Sequence, residues 1–396
     1  MKASDFIAQY LEAKGITHTF ELVGGMITHL LDSLSRTTAI QIVSFHHEQG
    51  AGFAAEGFAR VSGIPGVALA TSGPGATNLV TAIGSCYFDS TPAVFITGQV
   101  NTHELKTETG VRQLGFQETD IEAIAKPICK KVMQVHQAAD LPKVLKEVFE
   151  VALEGRQGPC LVDIPMNVQA EEIAEDLAEA ALAEATQSLT SPYLPPEVQD
   201  RTRAHVADLI KAIAGAERPL LLLGGGGASF QNRNAARQIC HELTIPVVLS
   251  LMAVDLLAFN DPQRVGLIGS YGNRWANKIL GEADLLVVVG SRLDIRQTGA
   301  DLDSFCEGKQ IWQVDIDDFE ISLRVKAQHS VVASIIELAA ALKQHQFKDA
   351  RKGYPVAWQE RIKSLKTQFP VELEYSAKQD EINPFSILQL LSSLNS

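Results

Sequence analysis

Short runs of consecutive apolar residues alternate along the first 168 positions with longer stretches in which apolar residues recur every three or four. Gln41–Phe45, Val67–Thr71, Ala93–Thr97 and Cys160–Ile164 read as buried strands bounded by Gly, Pro or polar residues. Gly50–Ser62, Gly75–Phe88 and Asp140–Leu153 read as helices, and Phe6, Ile7, Tyr10 and Leu11 make an amphipathic surface helix of the segment Met1–Ile16. Continuous apolar strands alternating with helices predict parallel pairing in an α/β layer structure. Residues 170–190 are Ala/Glu-rich, and SPYLPPE at 191–197 carries three prolines, which predicts an interdomain linker. The alternation restarts near 198 with Leu220–Leu223, Val247–Leu249, Leu285–Val289 and Ile311–Val314 as strands. The fold class expected is α/β, two doubly wound parallel-sheet domains at 1–168 and 198–345. A linker spans 169–197 and a polar, irregular tail 346–396, which closes on a Pro-started helix from Pro384.

A chain of 396 residues is too long for one core, since single cores stop growing near roughly 250–300 residues. Its 47 acidic against 34 basic residues give a net charge of −13 and leave no basic stripe for nucleic acid. No apolar run approaches the ~20 residues of a membrane span. The five cysteines (Cys86, Cys129, Cys160, Cys240, Cys306) are widely spaced without a CxxC pair. They read as reduced thiols of a cytoplasmic protein, not as a disulfide frame or zinc site, and no metal ligands are assigned.

Two segments carry the candidate chemistry. HHEQGAGFAAEGFAR (46–60) puts Glu48 just after a strand, at the mouth of the sheet where open α/β sheets bind ligands. Small residues at 50, 51, 52, 54 and 55 would let a flat group or another chain approach. Read alone, Glu48 is a helix cap favoured by the dipole. TSGPGATN (71–78) is a Gly-rich strand-to-helix turn that offers backbone N–H groups. It is neither a Walker loop nor a GxGxxG fingerprint, and a merely structural tight turn is the other reading.

Together with Gly24-Gly25, TGQV (97–100), the triplet Phe116-Gln117-Glu118 and Lys130, the order of these motifs resembles the pyrimidine-binding domain of thiamine diphosphate-dependent enzymes, and within them the acetolactate synthase group. GGGGA (224–228), GLIGSYGNRWAN (266–277), VVGSRLDIRQTG (288–299) and VDIDDFEI (314–321) extend the resemblance through the second domain. It implies a pyrimidine-binding domain followed by a central Rossmann-like domain. Glu48 would hydrogen-bond N1′ of the aminopyrimidine, whose exocyclic nitrogen then removes the thiazolium C2 proton. Gly24, Gly25, Thr71, Ser72, Pro74, Gly75 and Asn78 would line the pocket. Gln99 would lie near the reacting carbon, with Phe116, Gln117 and Lys130 at the substrate entrance. A solvated surface lysine is the other reading of Lys130, and a core aromatic that of Phe116. In the second domain Gly225, Gly226, Gly269, Arg292, Arg296, Asp315 and Ile316 would contact FAD. Tyr271 and His329-Ser330 depart from the flavin-binding pattern, so flavin-bound and flavin-free readings both stand.

The resemblance further implies a third domain holding the diphosphate and Mg²⁺ on a Gly-Asp-Gly signature, and no Gly-Asp dipeptide occurs in this sequence. The activity implied is carboligation or decarboxylation of a small-molecule 2-oxo acid. The partner expected is a second copy (a homo-oligomer) or a chain carrying the diphosphate-binding domain, and truncation is favoured over a split gene or a fragment. The alternatives are a non-catalytic binding or assembly protein, and a thiamine diphosphate enzyme acting on a sugar-derived or acyl-CoA substrate. Val23 stands where the acetolactate synthases usually carry Pro.

Overall fold

The structure, a computed structural model, describes residues 1–106, 110–186, 196–345, 354–370 and 383–394. It divides into two compact units, Met1–Tyr193 with Ser229–Gln231, and Leu194–Ala228 with Asn232–Ser396. Each is a six-stranded, wholly parallel sheet with helices on both faces. No helix among the described residues is long and apolar enough to cross a membrane.

In the first unit β1 (His18–Glu21), β2 (Gln41–Ser44), β3 (Gly66–Ala70), β4 (Ala93–Gln99), β5 (Lys131–Gln134) and β6 (Pro159–Pro165) lie in the order β2-β1-β3-β4-β6-β5. The period-2 pattern explains the layers. On β3, Val67 and Leu69 enter one core with Phe6, Leu11, Leu34 and Phe149, while Ala68 and Ala70 enter another with Ala51, Ala55 and Ile83. The second core is thin because the helix Glu48–Ser62 rides close on the sheet. A Cβ on Gly66 would lie 1.9 Å from the Ala55 carbonyl oxygen, and one on Gly52 would lie 2.5 Å from Ala82 Cβ. The small residues expected to admit a ligand or a second chain therefore mostly serve the helix's own approach. Ala51, Gly52 and Ala55 face the core, and Gly50 abuts Phe45.

The expected linker begins too early in the sequence reading. Val168, Ile173, Ala178 and Ala185 are buried in the first core, and the helix Glu175–Ala185 packs there. Lys2 and Glu172 form an antiparallel bridge that closes this wrap. The helix buries little more than two alanines, so its apolar stripe is too faint to stand out. The stretch 187–195 lies outside the described residues.

In the second unit β7 (Pro219–Leu223), β8 (Val247–Leu249), β9 (Arg264–Leu267), β10 (Leu285–Val289), β11 (Gln310–Asp315) and β12 (His329–Val332) lie in the order β12-β11-β10-β7-β8-β9. Leu221, Leu223, Val287 and Val289 face one core, and Leu220, Leu222, Leu286 and Val288 the other. The tail expected to be irregular contains a docked helix, Val356–Gln368. Its Trp358, Ile362 and Leu365 are buried in the second of these cores, at the i, i+4, i+7 spacing of one helical face.

Candidate functional site

The C-terminal ends of β1, β2 and β3 bring most of the first-domain candidates together. Glu48 opens the helix after β2, where the N-terminal dipole favours a carboxylate. The His47 side chain caps that helix by accepting from the Gln49 N–H at 3.1 Å. Glu48 is 7% exposed, and its Oε2 accepts from Asn78 Nδ2 at 2.9 Å. Oε1 takes no donor among the described residues. It faces Gly75, where a Cβ would stand 3.2 Å away and also 2.7 Å from Thr71 Cγ2. The absent side chain at Gly75 leaves the free carboxylate oxygen approachable.

The turn after β3 supplies the rest. Gly73 has φ +64°, and Pro74 occupies the first turn of the short helix Pro74–Asn78. Ser72 Oγ is buried with no partner among the described residues. Thr71 ties this turn to the Gly24-Gly25 turn. The Met26 N–H donates to Thr71 Oγ1 at 3.2 Å, and a Cβ on Gly24 would meet the Thr71 side chain at 2.4–2.9 Å. Gly25 points into open space.

Phe116 and Gln117 belong to the same edge. A Cβ on Gly73 would lie 2.8 Å from Gln117 Cβ, and Gln117 adopts φ +61°. Phe116 is 74% exposed and is therefore not a core aromatic. Glu118 knots the loop by accepting from the Lys106 and Leu114 N–H groups, each at 2.6 Å. Gln99, at the end of β4, is only 1% exposed, and its amide is spent internally. Nε2 donates to the Thr119 carbonyl at 2.8 Å and to Asp163 Oδ2 at 3.0 Å, while Oε1 accepts from Val100 N at 3.1 Å. Asp163 escaped the sequence reading, although an acid inside the apolar run CLVDIP was the signal.

Lys130 stands at the other edge of the same sheet. It immediately precedes β5, and its N–H bonds the Pro159 carbonyl that opens β6, so it lies at the N-terminal edge of a parallel sheet whose C-terminal edge carries Glu48. Its Nζ donates to the carbonyls of Val151 and Glu154, satisfying the end of the helix Leu141–Leu153. Burial holds the Lys130 pKa below the usual lysine value, with nearby Cys160 and Glu154 opposing. Its ammonium group is engaged within the chain, not freely solvated. Lys130→Met should cost about 1–2 kcal/mol of stability and leave KM for a 2-oxo acid within about two-fold, read by urea unfolding and steady-state kinetics.

In the second unit the candidates also collect at the C-terminal strand ends. The glycine turn after β7 is close-packed on its own chain. A Cβ on Gly226 would lie 3.0 Å from Gly290 Cα, and one on Gly225 would lie 3.1 Å from Met252 Cβ. Gly269 has φ +95° and sits against the Arg296 carbonyl, which also accepts from the Ser270 N–H at 2.8 Å. Arg292 and Arg296 are exposed. Asp315 accepts from the Asp317 N–H at 3.0 Å, and Ile316 is 38% exposed. His329 and Ser330 open the edge strand β12, with the His329 ring stacked 4.0 Å from that of Trp312. Among the described residues no group of three or more His, Cys, Asp or Glu could hold a metal ion.

Comparison with known proteins matches residues 1–124 to a family model described as the thiamine pyrophosphate enzyme N-terminal TPP binding domain. Residues 206–342 match the thiamine pyrophosphate enzyme central domain. The chain is 36% identical over 368 residues to the acetolactate synthase isozyme 1 large subunit of Escherichia coli (strain K12), covering 93% of this chain and 61% of that protein. It is 35% identical over 404 aligned residues to the probable chloroplastic acetolactate synthase 2 of Oryza sativa subsp. japonica, covering 99% and 57%. With the acetolactate synthase large subunit of Corynebacterium glutamicum it shares 34% over 371 residues, covering 93% and 57%. The chain thus spans 57–61% of the length of these three curated relatives.

Proposed function

Because the chain belongs to the thiamine pyrophosphate enzyme family and carries its N-terminal and central domains in order, we propose that it takes part in acetolactate synthase-like carboligation or decarboxylation of 2-oxo acids such as pyruvate. The observation that carries this reading is the buried Glu48, with one oxygen held by Asn78 and the other free beside Gly75. That arrangement fits an aminopyrimidine. Glu48 Oε1 would share a proton with N1′, in a site dry enough to make the hydrogen bond strong. The unpartnered Ser72 Oγ and the backbone at Thr71–Gly75 would meet the ring edge. When bound, thiamine diphosphate supplies the electron sink for cleaving the bond between the carbonyl and carboxylate carbons of the substrate.

We assign the diphosphate and Mg²⁺ to a further domain, on a second copy or a partner chain. In the second unit Arg292 and Arg296 would take an anionic group such as the diphosphate of FAD. The glycine turn there adds nothing to that assignment, since packing against Gly290 accounts for it. Five unpaired cysteines support a cytoplasmic setting.

The pocket is tested by calorimetric titration with thiamine diphosphate and Mg²⁺ into the chain and into Gly75→Val. The expected result is saturable binding weakened more than about ten-fold by the valine, whose branches would occupy the space before Glu48 Oε1. Equal binding by the two proteins overturns the pocket assignment. No binding by either shows that the cofactor is held only together with the chain that grips its diphosphate.

A further inference from the structure

Asp163 lies wholly inside the first sheet, and its carboxylate gathers donors from two neighbouring strands. Thr97 Oγ1 and Gln99 Nε2 on β4 reach it at 2.6 and 3.0 Å, and Gln134 Nε2 on β5 at 2.8 Å. Desolvation by burial pushes the Asp163 carboxyl up to about 6, the three donors pull the other way, and Glu122 is the charged neighbour that adds to the rise. The second hydrogen of the Gln99 amide continues outward to the Thr119 carbonyl. Thr119 stands between Gln117, which packs on Gly73, and Asp120, which caps the helix Ile121–Ala125 by accepting from the Ala123 N–H. A chain of hydrogen bonds therefore runs from the rigid sheet to the loop that abuts the turn facing Glu48.

We propose that Gln99 is a positioning residue, tethering Thr119 to Asp163 and so holding Gln117 against the Gly73 turn. It does not reach for a substrate, because both hydrogens of its amide are donated within the chain and its Oε1 already accepts there. The value of this device for catalysis rests on the reading of the Gly73 turn as the pyrimidine pocket. The tether itself does not.

The experiment is amide hydrogen exchange of the unliganded full chain, followed by mass spectrometry, for Gln99→Met, Asp163→Leu and Asp163→Asn. Gln99→Met keeps the side-chain volume and removes the tether. It should raise exchange across residues 114–123 roughly ten-fold or more, about the effect of losing one internal hydrogen bond. β1 and β3 should stay within about two-fold, since local opening leaves the core strands protected. Asp163→Leu should reproduce this pattern. Asp163→Asn should stay near the parent, because its carbonyl can still accept from Gln99 and Gln134 while its amide donates to a rotated Thr97 hydroxyl. Unchanged exchange of 114–123 in Gln99→Met overturns the proposal. So does a rise shared equally by β1 and β3, which would make Gln99 a core strut. A loss of protection in Asp163→Asn as large as in Asp163→Leu also overturns it. Cofactor binding does not enter this readout, so a failed pyrimidine assignment and a failed tether are told apart.

Discussion

Replacing Glu48 by glutamine is expected to reduce turnover of a 2-oxo acid by roughly 100-fold or more, with stability changed by less than about 1 kcal/mol. The two outcomes separate because the geometry separates the two oxygens. Oε2 is a hydrogen-bond acceptor for Asn78, and the glutamine carbonyl can replace it with the same bond. Oε1 faces the Gly75 gap, and there glutamine presents an amide that can donate but cannot exchange a proton. The buried position is kept and the acid–base function is lost. The measurement is kcat for release of CO₂ from pyruvate with thiamine diphosphate and Mg²⁺, in the assembled enzyme that includes the diphosphate-binding part. Turnover within about three-fold of the parent would remove Glu48 from the proton transfer and leave it as the helix-capping acid that its position alone allows.

Most of the strands legible in the chain are uniformly buried; β2, read as a buried strand, has no buried position, and β11 is open at both ends. β3, β4, β6, β7, β8 and β10 are buried along their whole length and read as apolar runs. β5, β9 and β12 are partly exposed edge tetrapeptides, as β2 is, and of the four only β2 was read. β1 escaped because its buried positions include Thr19 and Glu21, polar residues that no apolar count registers. At the site, Glu48 and the 71–78 turn were readable because each follows a strand directly, and strand ends of one parallel sheet share an edge. The placement of Lys130 was not readable in the same way. Its edge depends on β5, and without that strand its position relative to Glu48 could not be read. The partners of Gln99 lie 20 and 64 positions away, beyond any local pattern.

The second large effect is structural and concerns the helix at Val356–Gln368. Trp358→Ala is expected to cost about 3–5 kcal/mol of the second unit's stability. Trp358 is 2% exposed in the core that also holds Leu220, Leu222, Leu286 and Ile311, and its indole N–H donates to the Pro219 carbonyl at 3.1 Å, at the start of β7. Truncation removes the buried ring and strands that carbonyl. Trp358→Phe keeps an aromatic ring and loses the bond, which sets its cost nearer about 1–3 kcal/mol. The charged contacts of the same helix predict little. Arg361 grips Glu282 with two bonds of 2.6 and 2.8 Å, but both side chains stay partly exposed to water, so Arg361→Ala should cost less than either tryptophan change. All three tryptophans, Trp275, Trp312 and Trp358, lie in the second unit, so fluorescence during urea unfolding reports that unit selectively. The order expected is Trp358→Ala, then Trp358→Phe, then Arg361→Ala. If Arg361→Ala proved as costly as Trp358→Ala, the helix would be held to the sheet by its charges and not by its buried face. Apolar burial is the stronger term here because the tryptophan loses nearly all its water on docking, whereas the arginine keeps nearly half of its own.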